Sequence, residues 1–381
     1  MPNLTQTSTL LKSLGITRPT LILDHQQTLL NIASMAHKAQ NAAVRLRPHG
    51  KTHQSAAVGK LCHMQGIHTI TASSLDMALY FAANGWDDIT DAIPVNTLEI
   101  DKINHLASKI KLNLLVDHPA AVSALAAGLT HPVRIWLEAD LGYKRTGVSY
   151  ENLDQALAIA QQIEQAEQMR FVGLLTHAGH TYVERSVAGI TAVYQQVLTR
   201  LQVMQNHLLQ NGIARCAISI GDTPACSVLN DFTGVDEIRP GNFVFYDLMQ
   251  AQIGSCTSDQ ISVAVACPVI GLYPERQTAV IHGGGVHFAK DMLTDDHGRA
   301  LFGQLTTITD GTFSGALPAA TLTSVSQEHG TLTLTDPTLF NQLSLGDLVL
   351  VLPVHSCMTA DLYSSYLDLD GQRYGRIPRQ P

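Results

Sequence analysis

The sequence predicts an α/β protein: a (β/α)8 TIM-like barrel followed by a C-terminal antiparallel β domain. Three observations carry this. From residue 44 onward, short β-branched runs ending in polar or glycine residues alternate with amphipathic stretches. Eight such runs occur, their starts mostly 21 to 24 residues apart, with two intervals of 38 and 45. After Tyr246 the helical period nearly vanishes, and apolar runs separated by Gly and Thr turns replace it.

The elements follow in order. Residues 20–23 (TLIL) form a short strand before the first helix, at the barrel entrance or paired with the later domain. The barrel strands are 44–48, 67–72, 88–94, 112–117, 133–139, 171–176, 216–221 and 237–245. Helical patterns fill 75–84, 98–107, 153–168 and 188–210. Beyond them, 261–270, 278–282, 320–326, 331–335 and 347–354 read as strands. Residues 24–246 are therefore assigned to the barrel, and 1–23 with 247–381 to the β domain.

Composition narrows the function. With 45% apolar and 15% charged residues among 381, disorder is excluded as the main state. The net charge of −8 and a pI near 6.1 exclude nucleic acid as the main partner, since phosphate binding needs a basic face. No uninterrupted apolar run is long enough to span a membrane. The opening residues lack a basic start followed by an apolar run, and the six cysteines are scattered without a CxxC pair. The expectation is a cytoplasmic protein with reduced thiols.

In such barrels chemistry gathers at the C-terminal ends of the strands, and the unusual polar residues fall there. Lys51, between His49 and His53, has cationic-capable neighbours; these, with partial burial, would lower its pKa as an amine nucleophile requires. The alternative is a surface lysine at a helix N-terminus. Gly221 and Thr223 after the seventh strand, and Gly241 and Asn242 on the eighth, suit a phosphate, aided by the helix beginning near Pro224; the alternative is two ordinary turns. Arg145 and Arg239 face either a cofactor's ring nitrogen or phenolic oxygen, or a salt bridge to Asp140 or Glu237. His355 and Cys357, placed at i, i+2 on a strand, share a face as a zinc-type ligand pair, or are a half-buried histidine beside a core cysteine.

Together these segments resemble the fold-type III pyridoxal phosphate enzymes, the alanine racemase-like barrels. Within them the chain is most similar to the branch of D-serine dehydratase, D-threo-3-hydroxyaspartate dehydratase and D-threonine aldolase. The resemblance runs from Thr20 to about Leu362. It makes Lys51, in RPHGKTH, the lysine that holds the cofactor as an imine. It places Arg145, in the D-x-G-x-x-R-T-G segment, by the cofactor, and His177 and Tyr182, in THAGHTY, against its ring. Gly221, Thr223, Arg239, Gly241 and Asn242 become cofactor contacts, and His355-x-Cys357 the metal pair. Two departures stand out: Gly50 and Gln54 where relatives often carry larger or basic residues, and the segment His282–Lys290 (HGGGVHFAK), which does not resemble the corresponding segment of the characterised dehydratases or aldolases.

The resemblance implies a lyase. Lys51 takes the α-proton of a β-hydroxy D-amino acid, D-serine or 3-hydroxy-D-aspartate in type. The ring serves as electron sink. A divalent metal, zinc in preference to magnesium or manganese, helps the β-hydroxyl leave, and the products are a 2-oxo acid and ammonia. The first alternative is a D-threonine-type aldolase giving glycine and an aldehyde; those enzymes tend to carry His-x-Asp where this chain has His355-x-Cys357. Further alternatives are an amino-acid racemase and a pyridoxal phosphate carrier. The fold type also implies a homodimer.

Overall fold

The computed structural model describes residues 2–295 and 298–378, in two compact units: Ser34–Gly241, and Met1–Ala33 with Asn242–Pro381. The barrel stretch expected over 24–246 thus contains a unit with its borders at 34 and 241.

In the first unit, eight parallel strands are ordered Arg45–Leu46, Glu237–Ile238, Ala217–Ile220, Met169–Thr176, Val133–Asp140, Lys111–Val116, Asp88–Pro94 and Ile70–Ala72. The two ends meet through the bridge His49↔Thr71, where Gly50 N–H donates to Thr71 O (2.8 Å) and Thr71 N–H to Pro48 O (2.9 Å). The sheet is therefore closed, as the eight-fold alternation predicts. The helices between strands bury the stripe their period predicts. In Leu153–Glu164, the Asn152 side chain accepts from Gln155 N, and Ala156, Ile159, Ala160 and Ile163 are buried. Val187–Gln210 is capped by Ser186 and buries Ile190, Tyr194, Val197, Leu201, Met204 and Leu208.

The barrel interior is not purely apolar. Arg47, 1% exposed, donates from Nε to Glu237 Oε2 and from Nη1 to Asp88 Oδ1, both at 2.8 Å. Ser219 Oγ donates to Glu237 Oε1 (2.9 Å) and accepts from Arg239 Nε (2.7 Å), and Arg239 Nη2 donates to Thr176 O (2.6 Å). Asn113 completes the set by donating to Asp88 (3.1 Å). One hydrogen-bonded chain thus crosses the barrel from the start of the third strand to the end of the sixth. Burial opposes the charge on Arg47, and its two carboxylate partners outweigh it, raising its pKa. Burial also opposes the charge on Asp88, but Arg47 wins, lowering it.

The second unit is the antiparallel β domain. Thr278–His282, His329–Leu334, Ala320–Val325, Gly303–Thr306, Leu348–Pro353 and Val263–Tyr273 pair in sequence, and the last pairs back to the first. Thr20–Leu23 joins this unit, antiparallel to Val263–Tyr273, which decides between its two expected places. The helix Leu4–Ser13 and the strands Ser365–Asp368 and Arg373–Gly375 were not foreseen. No helix among the described residues is long and apolar enough to cross a membrane.

Breaking a buried ion pair from one side leaves a bare charge inside the protein. Arg47→Met should therefore lower the unfolding free energy by ~3–5 kcal/mol. Urea denaturation measures this, and a loss below about 1 kcal/mol would show that water solvates Glu237 and Asp88 in the variant.

Candidate active site and metal-ligand set

The first strand ends in a turn built around close contacts. A Cβ on Gly50 would stand 2.5 Å from Phe81 Cε2, so the ring behind the turn allows no side chain there. That accounts for the glycine at this position. His49 is buried, its N–H donates to Pro240 O, and Lys51 N–H reaches His49 Nδ1 at 3.4 Å. Lys51 itself is exposed, against the partial burial expected, because it lies in the turn beyond the strand while His49 and His53 face inward. It does not start a helix either; the next one begins at Ala56.

Around this turn the structure brings together His49, His177, Arg239 and Gly241. Burial, then the nearby Lys51 and Arg239 charges, hold His49 well below the usual imidazole range. His177 Nδ1 donates to Gly221 O, which leaves Nε2 as an acceptor, and burial pushes its pKa down to about 3. Both imidazoles are neutral at physiological pH. Burial lowers Arg239 to about 10, still charged, with its arms on Ser219 and Thr176. A Cβ on Gly221 would stand 3.0 Å from Arg239 Nη1, and one on Gly241 2.9 Å from Thr52 Oγ1.

The phosphate-type loop is only partly as expected. Thr223 is 1% exposed and its Oγ1 has no protein partner, an orphaned hydroxyl in the loop where an anion was expected. The helix behind it, Thr223–Val228, is short, and Asp222 caps it by accepting from Ala225 N (2.8 Å). The Thr223 amide is also engaged, donating to Tyr182 Oη at 3.4 Å. The positive helix end is thus partly spent on protein groups. Tyr182 lies beside His177, ring centroids 6.0 Å apart.

Neither arginine makes its alternative salt bridge. Arg145 is exposed over the Tyr143 ring, and Asp140 Oδ1 instead accepts from the Gly142 and Lys144 amides (2.9 Å each). Glu237 is held by Arg47 and Ser219. A cavity of about 560 Å³ opens at the opposite, N-terminal end of the barrel, beside Arg45, Arg134, Arg170 and Arg215; it contains none of the expected site residues.

The expected metal pair, His355 and Cys357, lies in the other unit. His355 and Cys357 are not on a strand, as i, i+2 spacing was taken to mean. The strand stops at Pro353, and a helix, Ser356–Asp361, begins directly after His355. The cause is Asp247, whose Oδ2 accepts from Ser356 N (2.9 Å) and turns the chain. The two side chains still meet: a hydrogen bond joins His355 to Cys357, and His355 Nδ1 is 3.6 Å from Asp291 Oδ2. Although burial opposes the charge on His355, its bonds to Asp291 and Cys357 raise it to about 11. Asn242, expected at the cofactor, begins this unit. Its Nδ2 donates to Asp247 Oδ2 (2.6 Å) and Ser356 Oγ (3.1 Å) and is 3.6 Å from Cys357 Sγ. Sequence reasoning missed Asp247 and Asp291, because neither has local spacing to His355.

The fold and these residues define an α/β-barrel enzyme with a separate β domain. The chain belongs to the alanine racemase-like, fold-type III pyridoxal phosphate enzymes: the family model described as "Alanine racemase, N-terminal domain" matches residues 23–248, and "Putative serine dehydratase domain" matches 262–368. It is 29% identical to D-threo-3-hydroxyaspartate dehydratase of Delftia sp. (strain HT23), over 93% of this chain and 94% of that one. It is 26% identical to D-serine dehydratase of Dictyostelium discoideum, over 88% and 89%. The solved structure of the Delftia enzyme superposes with a TM-score of 0.86 at 28% identity, covering 99% of both chains. A cysteine-to-alanine variant of it is described as being in the metal-free form.

Asp222 tests the electrostatics of the loop. Burial raises its folded pKa to about 6, above the unfolded value, so the folded state holds the extra proton between about pH 4 and 6. Stability from this group is therefore present below about pH 4 and lost as pH rises through 6. Asp222→Asn keeps the cap and should flatten that part of the pH–Tm profile; an unchanged slope would assign it to other groups. Separately, Gly50→Ala should destabilise by ~1–3 kcal/mol in the same urea assay, through the clash with Phe81.

Proposed function

We propose that this chain is a pyridoxal phosphate- and metal-dependent lyase that removes water from a β-hydroxy D-amino acid, of the D-serine or 3-hydroxy-D-aspartate type, giving a 2-oxo acid and ammonia. Lys51 is the residue that holds the cofactor and moves the α-proton, at Nζ. Thr223, with the glycine backbones at 221 and 241, holds the phosphate; the orphaned Thr223 hydroxyl supports this. Arg145, His177, Tyr182 and Arg239 orient the ring. His177 presents a lone pair at Nε2, because Gly221 O fixes the proton on Nδ1. Asn242, by contrast, bears on the metal pair through Cys357. When bound, pyridoxal phosphate supplies an electron sink for the pair released at Cα. A divalent metal on His355 and Cys357, when bound, supplies a Lewis acid for the β-hydroxyl.

The observation that carries this reading is the hydrogen-bonded imidazole and thiol of His355 and Cys357, with Asp291 3.6 Å from the imidazole, in a family member of this barrel type. A racemase has no use for it, and a thiolate ligand favours zinc over magnesium or manganese. The same ligand supports dehydration over aldol cleavage. The names of the two relatives support the substrate class, and the metal-free form described for one supports metal dependence. The proposal includes a homodimer, on the resemblance to this fold type, and a cytoplasmic location, on six scattered cysteines without a CxxC pair.

Offering D-serine, D-threonine and 3-hydroxy-D-aspartate to the purified protein, and measuring ammonia against aldehyde, tests the reaction. Ammonia with a 2-oxo acid is expected, lost on chelation and restored by zinc. Glycine and an aldehyde without ammonia would replace dehydration with aldol cleavage. Lys51→Ala should abolish the yellow chromophore and lower activity by ~10³-fold or more.

A further inference from the structure

The segment that stood apart in the sequence, HGGGVHFAK, has a definite structure. Gly283 N–H donates to Glu328 O (2.9 Å), Gly285 N–H to Ser326 O (2.7 Å), and Val286 N–H to Gln327 O (3.2 Å). It lies directly on the hairpin joining Ala320–Val325 to His329–Leu334. A Cβ on Gly284 would stand 2.4 Å from Ser326 O and 2.6 Å from His329 N, backbone atoms that cannot give way. The glycines thus bring two loops together at backbone distance.

That approach places three side chains at one point. His282 Nε2 and His287 Nε2 are each 3.9 Å from Glu328 Oε2, and one ligand atom from each residue lies within 4.8 Å of the others. The imidazole planes stand at 89°, centroids 5.4 Å apart. Ligands around a tetrahedral zinc ion sit about 3.3 Å apart, from bonds of about 2.0–2.1 Å. Glu328 is 59% exposed and can close the difference by a rotamer change. We propose that His282, His287 and Glu328 bind a divalent cation, zinc in class, in addition to any metal at His355 and Cys357.

Two imidazoles and a carboxylate satisfy three positions of a tetrahedral ion and leave the fourth to water. The residues come from the end of a strand, the loop after it and a hairpin, so the ion clips these pieces together. His287 Nδ1 accepts from the Gly284 amide at 3.1 Å, so the neutral ring carries its proton on Nε2. Cation binding at Nε2 moves that proton to Nδ1, where it would meet the Gly284 N–H donor, so binding requires the ring or the Gly284 peptide to turn and costs this hydrogen bond, a loss small beside zinc ligation. The same segment continues to Phe288, whose carbonyl accepts from Thr359 Oγ1 (2.9 Å), and to Asp291 beside His355.

The test is equilibrium dialysis of the cofactor-loaded full chain against zinc, followed by metal analysis, on wild type, His282→Ala, Glu328→Gln and Cys357→Ala. Wild type should retain one more equivalent than His282→Ala or Glu328→Gln. Cys357→Ala should keep this equivalent whether or not it loses another, which separates this site from the proposed catalytic metal. Glu328→Gln, nearly isosteric and exposed, should weaken the equivalent by more than ~100-fold, beyond the ~10–100-fold that loss of an outer-shell partner brings. In the Cys357→Ala background, zinc should raise Tm, and adding Glu328→Gln should remove the rise. Equal zinc content in wild type, His282→Ala and Glu328→Gln would overturn the proposal, as would a Tm response that survives Glu328→Gln.

Discussion

The barrel depends on a run of buried charges and hydroxyls: Asp88, Arg47, Glu237, Ser219 and Arg239. Each charged member is costly to bury alone and tolerable only with its neighbours. The run therefore fixes the relative positions of the first, third, seventh and eighth strands more tightly than apolar packing would. It ends on Arg239, whose guanidinium contacts the ends of the sixth and seventh strands through Thr176 and Ser219. The positions of the Gly221 and Gly241 backbones and of His177 follow from that anchorage, while burial first, and nearby cations including Arg239 after it, lower the pKa values of the two neighbouring histidines.

Asp247 has the corresponding part in the β domain. One carboxylate collects the Asn242 amide, the Ser356 amide and the Ser356 hydroxyl, and caps the helix that starts at Leu248. It ends the strand before His355 and so changes how His355 and Cys357 are presented. A two-residue spacing on a strand aligns side chains by pleat. Across a strand-to-helix junction they are aligned by the turn, and the turn is set by a residue more than a hundred positions away. This explains why the pair was read with the wrong local structure.

Legibility varied with the range of the forces involved. The barrel strands and the helices at 75, 153 and 187 were visible because each carries its own period and punctuation, but the eighth strand, read over 237–245, is only Glu237–Ile238, and Asn242–Val244 forms a 3-10 turn. Leu4–Ser13 was not, since its Thr and Ser content argues against a helix. It is held by Asn3, which caps Gln6, and by Ser8 and Lys12 on Asp347. Lys51, His177 and Thr223 were legible as chemistry-bearing residues at strand ends, but their exposure was not. Burial depends on what packs behind, as Phe81 does behind Gly50.

The order of elements, the change of texture after Tyr246 and the identity of the polar residues at strand ends were all determined by the sequence alone, because hydrophobic period and turn chemistry act over a few residues. Which carboxylate faces which basic side chain was decided only by the tertiary structure. Arg47 with Glu237 and Asp88, Asp291 with His355, and Glu328 with His282 and His287 are pairings between distant parts of the chain. Their strength falls with separation in space, and separation in sequence says nothing of it.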